Sequence, residues 1–443
     1  MSSPNARPYL INPYSRLRLE AASPAAWVLD WSITGLLCLV LAFGPLAFGA
    51  VQEWATFVLE AGSAALVLLW AARQLVSRHT RFYRNPLFLP LVLFAALVCL
   101  QLLTGRTAYW YATWRMALLW AAYGMIFFVT TQCLRRTARV QAFALSFTAF
   151  GVLLALFAMV QQFTWNGKIY WVVPNRYGGW VYGPYVNHAH YAGMMEMLVP
   201  IPLVFALMSS WSKSCRVLFG FAALLMASTI FLSQSLGGIV AFAVEMAALG
   251  IFVGVKQRSR RQVVTLFLLA AVLAGLLVML SPGGIAKRIS RLHHPMGNNA
   301  GGDRLVIVKD SLRMIAARPV LGWGLGTFPV VYPSFRSFYT NYFVNATHND
   351  YVQTTVETGV LGFGIVCLLV WSFYRTSIHG IGHWQREVKP AIVLASVVGV
   401  TGMLVHSLSD FNLQIPANAV FFFALAALGT ANSSNSVANN SPR

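Results

Sequence analysis

Apolar positions in this chain come in long runs rather than in narrow stripes. Stretches of about 20 mainly apolar residues, long enough to cross a bilayer as helices, recur from end to end. Twelve are predicted, near residues 27–51, 54–76, 86–103, 116–132, 140–163, 191–209, 217–233, 239–255, 263–281, 356–374, 390–408 and 417–430. The polar segments between them are mostly short, but 164–190 and 282–355 are not. Loops beyond about 15 residues are uncommon unless functional or disordered. The expected fold is an all-α polytopic membrane protein of about 12 transmembrane helices. A single transmembrane domain would cover 27–430, with a long external loop at 282–355 between helices 9 and 10. A cytoplasmic segment at 1–26 precedes it, and a polar, disordered cytoplasmic tail at 431–443 follows.

Composition agrees with this reading: 58% of residues are hydrophobic and 10% charged, and the mean hydropathy is +0.63. No soluble core could absorb so much apolar surface. The net charge of +20 is read as topology. Arg78, Arg81, Arg84, Arg135, Arg136, Arg139, Lys256, Arg258, Arg260 and Arg261 fall on one side, and the positive-inside rule makes that side cytoplasmic, with both termini there. Such charge attracts anionic lipid and is poor evidence for nucleic acid, so membrane lipids are expected partners and nucleic acid is not. The segment before the first span lacks the short apolar core and small-residue site of a cleaved signal peptide. Cys38, Cys99 and Cys367 lie in spans and Cys133 and Cys215 in inside loops, so no disulfide framework or cysteine metal cluster is indicated.

The two long loops carry the candidate chemistry. The first, "TWNGKIYWVVPNRYGGWVYGPYVNHAH", is rich in tryptophan, tyrosine and glycine. Its aromatic residues fit either an interfacial belt or stacking on sugar rings. In the second, Leu305, Val308, Leu312 and Ile315 recur at helical spacing, predicting an amphipathic helix at the outer surface that Pro319 ends. Arg304, Lys309, Arg313 and Arg318 accompany it, after Lys287, Arg288 and Arg291. A guanidinium fork matches phosphate oxygens, and a basic patch at the bilayer surface suits an anionic headgroup. The glycines of "GWGLGTF", residues 322–328, permit tight turns or close backbone approach.

"NATHNDYVQTTVETGVLG", residues 345–362, opens the tenth span. Thr347 is the expected helix N-cap, with Asp350 as the acidic arm of a capping box. The cap has no need of His348 or Asn349. A histidine at the outer end of a span, beside a basic loop, can take a proton from a hydroxyl nucleophile.

These residues resemble a known family. "THNDYVQTTVETGVLGFG" is similar to the signature of the O-antigen ligase/polymerase superfamily of bacterial membrane glycosyltransferases. "GPYVNHAHYAGMMEMLVP", "DRLVIVKDSLRMIAARPVLGWGLGTF" and "HSLSDFNLQIPANAVFFF" resemble its other segments, in the same order. The resemblance implies transfer of a glycan from a polyprenyl (undecaprenyl) diphosphate carrier to an acceptor hydroxyl at the periplasmic face of the inner membrane. The acceptor would be lipid A-core, a growing glycan (the polymerase alternative) or a protein, and no metal or other cofactor would be needed. By the same resemblance His348 is the general base and Arg304 holds the donor diphosphate. Family members often carry "SRGG" between the seventh and eighth spans. This chain reads "SQSLGG", with Leu236 in the arginine's place. Arg176, Arg291 and Arg313 are candidates for the missing cation.

Asn187, His190, Glu196, Ser235 and Asn349 are expected to line the substrate site. "NHAH" also contains a His-x-His pair, but no third metal ligand stands near it in sequence. Glu196 and Glu245 fall inside spans, where a carboxylate faces protein or a water-filled cavity. Asp410 and Asn412 read as caps of a helix end. Two rival classes fit the span pattern: a polytopic transporter and a non-catalytic glycan- or lipid-binding protein. Neither internal repeats nor matching broken helices in the two halves favour the transporter.

Overall fold

The computed structural model describes residues 24–77, 81–175, 180–257, 300–340, 343–431 and 436–438. Its helices in chain order are α1 (Pro24–Leu46), α2 (Glu53–Val76), α3 (Phe88–Leu103), α4 (Trp110–Cys133), α5 (Thr137–Phe163), α6 (His188–Leu198), α7 (Pro200–Leu207), α8 (Lys213–Leu232), α9 (Leu236–Gln257), α10 (Ala300–Ala317), α11 (Asp350–Gly380), α12 (Val388–His406) and α13 (Pro416–Gly429). Among the described residues nine helices are long and apolar enough to cross a membrane, α6 and α7 counting as one, while α3 and α13 are shorter. Eleven of the twelve expected runs therefore coincide with apolar helices. The run at 263–281 lies outside the described residues.

Length and burial explain α13. At ~1.5 Å per residue a helix of α13's length covers roughly 21 Å, less than the ~30 Å hydrocarbon layer. Every residue of α13 is buried. It threads the middle of the bundle, packed on α4 and α12, as a helix apolar on all sides must. Pro200 starts α7 and interrupts the ladder after Leu198, because its nitrogen has no proton to donate.

Short connections alternate the helix ends between two faces. The ends at Leu103, Phe163, Leu232, Leu236 and His406 share one face, which also carries His348.

α11 is broken, not continuous. Gly359 takes φ 65° and ψ −172°, a region open only to glycine. Tyr351 and Tyr374 would lie about 35 Å apart on a straight helix. Yet their hydroxyls bond Leu404 O (2.7 Å) and Thr401 Oγ1 (2.7 Å), one turn apart on α12, so the two halves bend sharply toward each other. The break frees backbone groups that a membrane interior cannot solvate. The chain after α10 satisfies them. Val360 N donates to Pro319 O (2.8 Å), and Val356 O and Glu357 O accept from Trp323 N (3.0 Å) and Gly324 N (2.9 Å). Gln101 on α3 donates to Leu321 O and Glu357 O and accepts from Leu325 N. The glycines of "GWGLGTF" serve this crossing: Gly322, Gly324 and Gly326 all have positive φ, and a side chain on Gly322 would collide with the Glu357 backbone.

Two local expectations need correction. α10 turns Ile307, Asp310, Ser311 and Met314 inward and leaves Leu305 and Leu312 exposed. Only half of the predicted stripe is therefore free, since Val308 and Ile315 are half-buried and Ile315 packs on the core. The inner face also holds Asp310, whose carboxylate accepts from Ser337 N (2.9 Å) and Ser337 Oγ (3.1 Å). At the start of α11 the N-cap is Asn349, not Thr347. The Asn349 side chain accepts from Tyr351 N and Val352 N, both at 3.0 Å. The Thr347 hydroxyl is already engaged with Asn349 O and N, and Asp350 is drawn away to Ser407 Oγ (2.8 Å) and Leu413 N (3.0 Å).

Candidate active site

His348 stands in the left-handed region, φ 56°, between the Thr347 turn and the Asn349 cap. That conformation is costly for a non-glycine residue and marks a position held by its surroundings. It aims the imidazole at the loop after α12. There Nδ1 lies 3.3 Å from Asp410 Oδ1, and Nε2 has no partner among the described residues. The ring packs edge-on against Phe411, 5.0 Å between centroids. His190, in the first turn of α6, packs on Phe411 at 4.7 Å, and its Nε2 lies 3.9 Å from Asp410 Oδ1.

Arg304 arrives from the first turns of α10. Its Nη1 donates to Ser409 O (3.0 Å) and its Nη2 lies 3.6 Å from Asp410 Oδ2. The Asp410 side chain is 3% exposed, against 24% for His348 and 41% for Arg304. Two partly exposed cationic or proton-binding groups thus meet on the two oxygens of one buried carboxylate. Burial alone would raise the Asp410 carboxyl. The hydrogen bond from His348 and the Arg304 guanidinium outweigh burial and hold the group well below the usual carboxylate range. A charged Asp410 accepts the proton of His348 Nδ1, which leaves the lone pair on Nε2.

The other expected site residues divide by depth. Asn187 is the N-cap of α6, accepting from Ala189 N at 2.8 Å. Glu196 lies deeper on α6, fully buried, hydrogen-bonded to His406 Nδ1 (2.9 Å). Ser235 accepts from Gly238 N (3.1 Å) and opens α9. Gly237 abuts His406 and Ser409, and Gly238 abuts Glu196, so the turn containing Leu236 packs on the underside of the centre. Arg313 is not brought to the centre: it lies about 13 Å along α10 from Arg304, paired with Asp310 at 3.3 Å. Arg176 and Arg291 lie outside the described residues. His188 packs on Trp180 while His190 turns to Asp410. Among the described residues no group of three or more metal-ligating side chains is assembled.

Asp410 and His406 are the residues that sequence reading undervalued. Their signal was a cluster of His406, Ser407, Ser409, Asp410 and Asn412 just after an apolar run, more polar groups than one helix end needs.

Comparison with known proteins bears on the same elements. Residues 221–367 match the O-antigen ligase family model. That match covers about a third of the chain and includes both Arg304 and His348, so this stretch is similar to the O-antigen ligase family. The matched stretch lies among helices that are long and apolar enough to cross a membrane several times. The curated proteins give no match to it.

Proposed function

We propose that the protein transfers a glycan from a polyprenyl diphosphate carrier to an acceptor hydroxyl at the periplasmic face of the bacterial inner membrane, as in O-antigen ligation. The observation that carries this reading is the meeting of His348 and Arg304 on Asp410. His348 Nε2 removes the acceptor's hydroxyl proton as the oxygen attacks the anomeric carbon. The bond from that carbon to the diphosphate breaks, and the lipid diphosphate leaves with the electron pair. Asp410 keeps His348 in the basic tautomer and stabilises the imidazolium that forms. The remaining N–H groups of Arg304 meet the charge developing on the departing diphosphate. Glu196 and His406 hold the loop that carries Asp410 against α6.

The test is reconstitution in liposomes with a polyprenyl diphosphate-linked glycan and candidate acceptors, without divalent metal. Transfer should fall by roughly 10²–10⁴ in His348→Ala, the usual worth of a general base, and severely in Arg304→Ala. Wild-type transfer by correctly folded His348→Ala would eliminate the proposed base.

A further inference from the structure

The helix break in α11 leaves a second feature, away from His348. A groove of about 800 Å³ lies where the end of α3 meets the stretch after α10, a volume within the range of ligand sites. Leu100, Pro319, Val320 and Leu321 supply apolar walls, Arg106 and Arg318 supply charge, and no lining residue is acidic. Arg318 is preorganised, its guanidinium lying 4.2 Å over the Trp323 ring. Arg106 follows the tight turn at Gly105, and its backbone N–H donates to Gln101 O (3.0 Å), which places its backbone at the groove.

Depth in the membrane identifies the ligand. The loop bearing Arg106 leads directly into Tyr109, Trp110, Tyr111 and Trp114, all exposed, with Trp110 and Trp114 stacked at 5.6 Å. Exposed tryptophan and tyrosine at helix ends mark the level of lipid headgroups. Leu103 and Val320 turn outward beside the groove, 87% and 54% exposed, where acyl chains run. A cationic mouth at headgroup depth above outward-facing apolar side chains is complementary to an anionic amphiphile.

We propose that this groove binds an anionic phospholipid of the bilayer, its phosphate between Arg106 and Arg318 and its first acyl carbons along Leu100 and Val320. It is not the donor clamp. Arg318 lies about 20 Å along α10 from Arg304, and the site stands independently of the transfer chemistry.

The purified full-length protein in neutral detergent would be titrated with dioleoyl phosphatidylglycerol or dioleoyl phosphatidylcholine, with retained lipid read by native mass spectrometry. Phosphatidylglycerol should be retained in preference. Two exposed ion pairs together make that preference about tenfold, and Arg106→Gln/Arg318→Gln should abolish it. Val320→Trp fills the groove without changing charge and should reduce retention of both lipids, which keeps the test decisive if the double variant misfolds. Lys168→Gln, an exposed charge on the same face, should change nothing. An unaltered preference in Arg106→Gln/Arg318→Gln together with unaltered retention in Val320→Trp would overturn the site. Equal loss in Lys168→Gln would reduce it to diffuse attraction, and displacement of the lipid by glycerol 3-phosphate at equal concentration would overturn its assignment to a lipid.

Discussion

Replacing Asp410 by asparagine isolates one charge. Oδ1 of Asp410 accepts from Phe411 N (2.9 Å) and faces His348 Nδ1, while Oδ2 faces Arg304. An asparagine that keeps its oxygen toward Phe411 N still receives the Nδ1 proton, so the basic tautomer survives. What disappears is the negative charge beside the imidazolium formed on proton transfer. At ~4 Å and an effective dielectric constant of ~20 that attraction is about 4 kcal/mol. His348 is partly exposed, and solvent screening cuts the figure to about 2 kcal/mol, or roughly thirtyfold in rate. Asp410→Ala removes the acceptor altogether and should approach the loss in His348→Ala. The assay is single-turnover transfer in liposomes, with folding checked by size-exclusion chromatography. Wild-type turnover in Asp410→Asn alongside inactive His348→Ala would refute the electrostatic role. Loss as complete as in His348→Ala would refute the tautomer reasoning.

Further outcomes follow from the same geometry. Gly359→Ala forces a side chain into a glycine-only conformation and against Val320 O. It should cost at least 1–3 kcal/mol, seen as a lower midpoint in thermal unfolding in detergent; an unchanged midpoint would mean the helix is not broken there. Asn349→Ala should cost about 1 kcal/mol by loss of the cap, with Asn349→Asp largely restoring it; equal damage from both would point to a role other than capping. His406→Ala strands the buried Glu196 carboxylate and should destabilise by roughly 3–5 kcal/mol, whereas the paired replacement Glu196→Leu/His406→Phe should be much milder. If the double variant is no milder in thermal unfolding, the Glu196–His406 hydrogen bond is not what His406→Ala disrupts. Arg313→Ala should leave transfer close to wild type while Arg304→Ala abolishes it; comparable losses would show that donor binding extends along α10.

The spans were legible because a run of apolar residues long enough to cross a bilayer has few other uses. Their boundaries failed where backbone satisfaction is settled at long range. Gly359 sits in an unremarkable helical pattern, and nothing local announces that carbonyls at Pro319 and Val320 will take the N–H groups beyond it. The cap was legible as a cap, but assigned to Thr347. The left-handed turn at His348, which moves capping to Asn349, is imposed by contacts with Phe411 and Asp410 some 62 residues away. Arg304 and His348 came from resemblance and the basic loop together. Asp410 looked like a helix-end residue because its importance lies in two partners from different elements. The inner face of α10 was misread because hydrophobicity cannot rank a leucine against an aspartate whose hydrogen bonds are already arranged.

The crossing at Gly359 also sets an order of assembly. Residues 319–326 emerge before 356–361, yet each segment holds the other's unpaired backbone groups. α10 therefore has no fixed place until α11 has been inserted and bent, and Asp410 enters later still, after α12. Arg304, His348 and Asp410 become neighbours only as the last helices close the bundle, so a nascent chain lacking its C-terminal helices carries Arg304 and His348 without the carboxylate on which they meet.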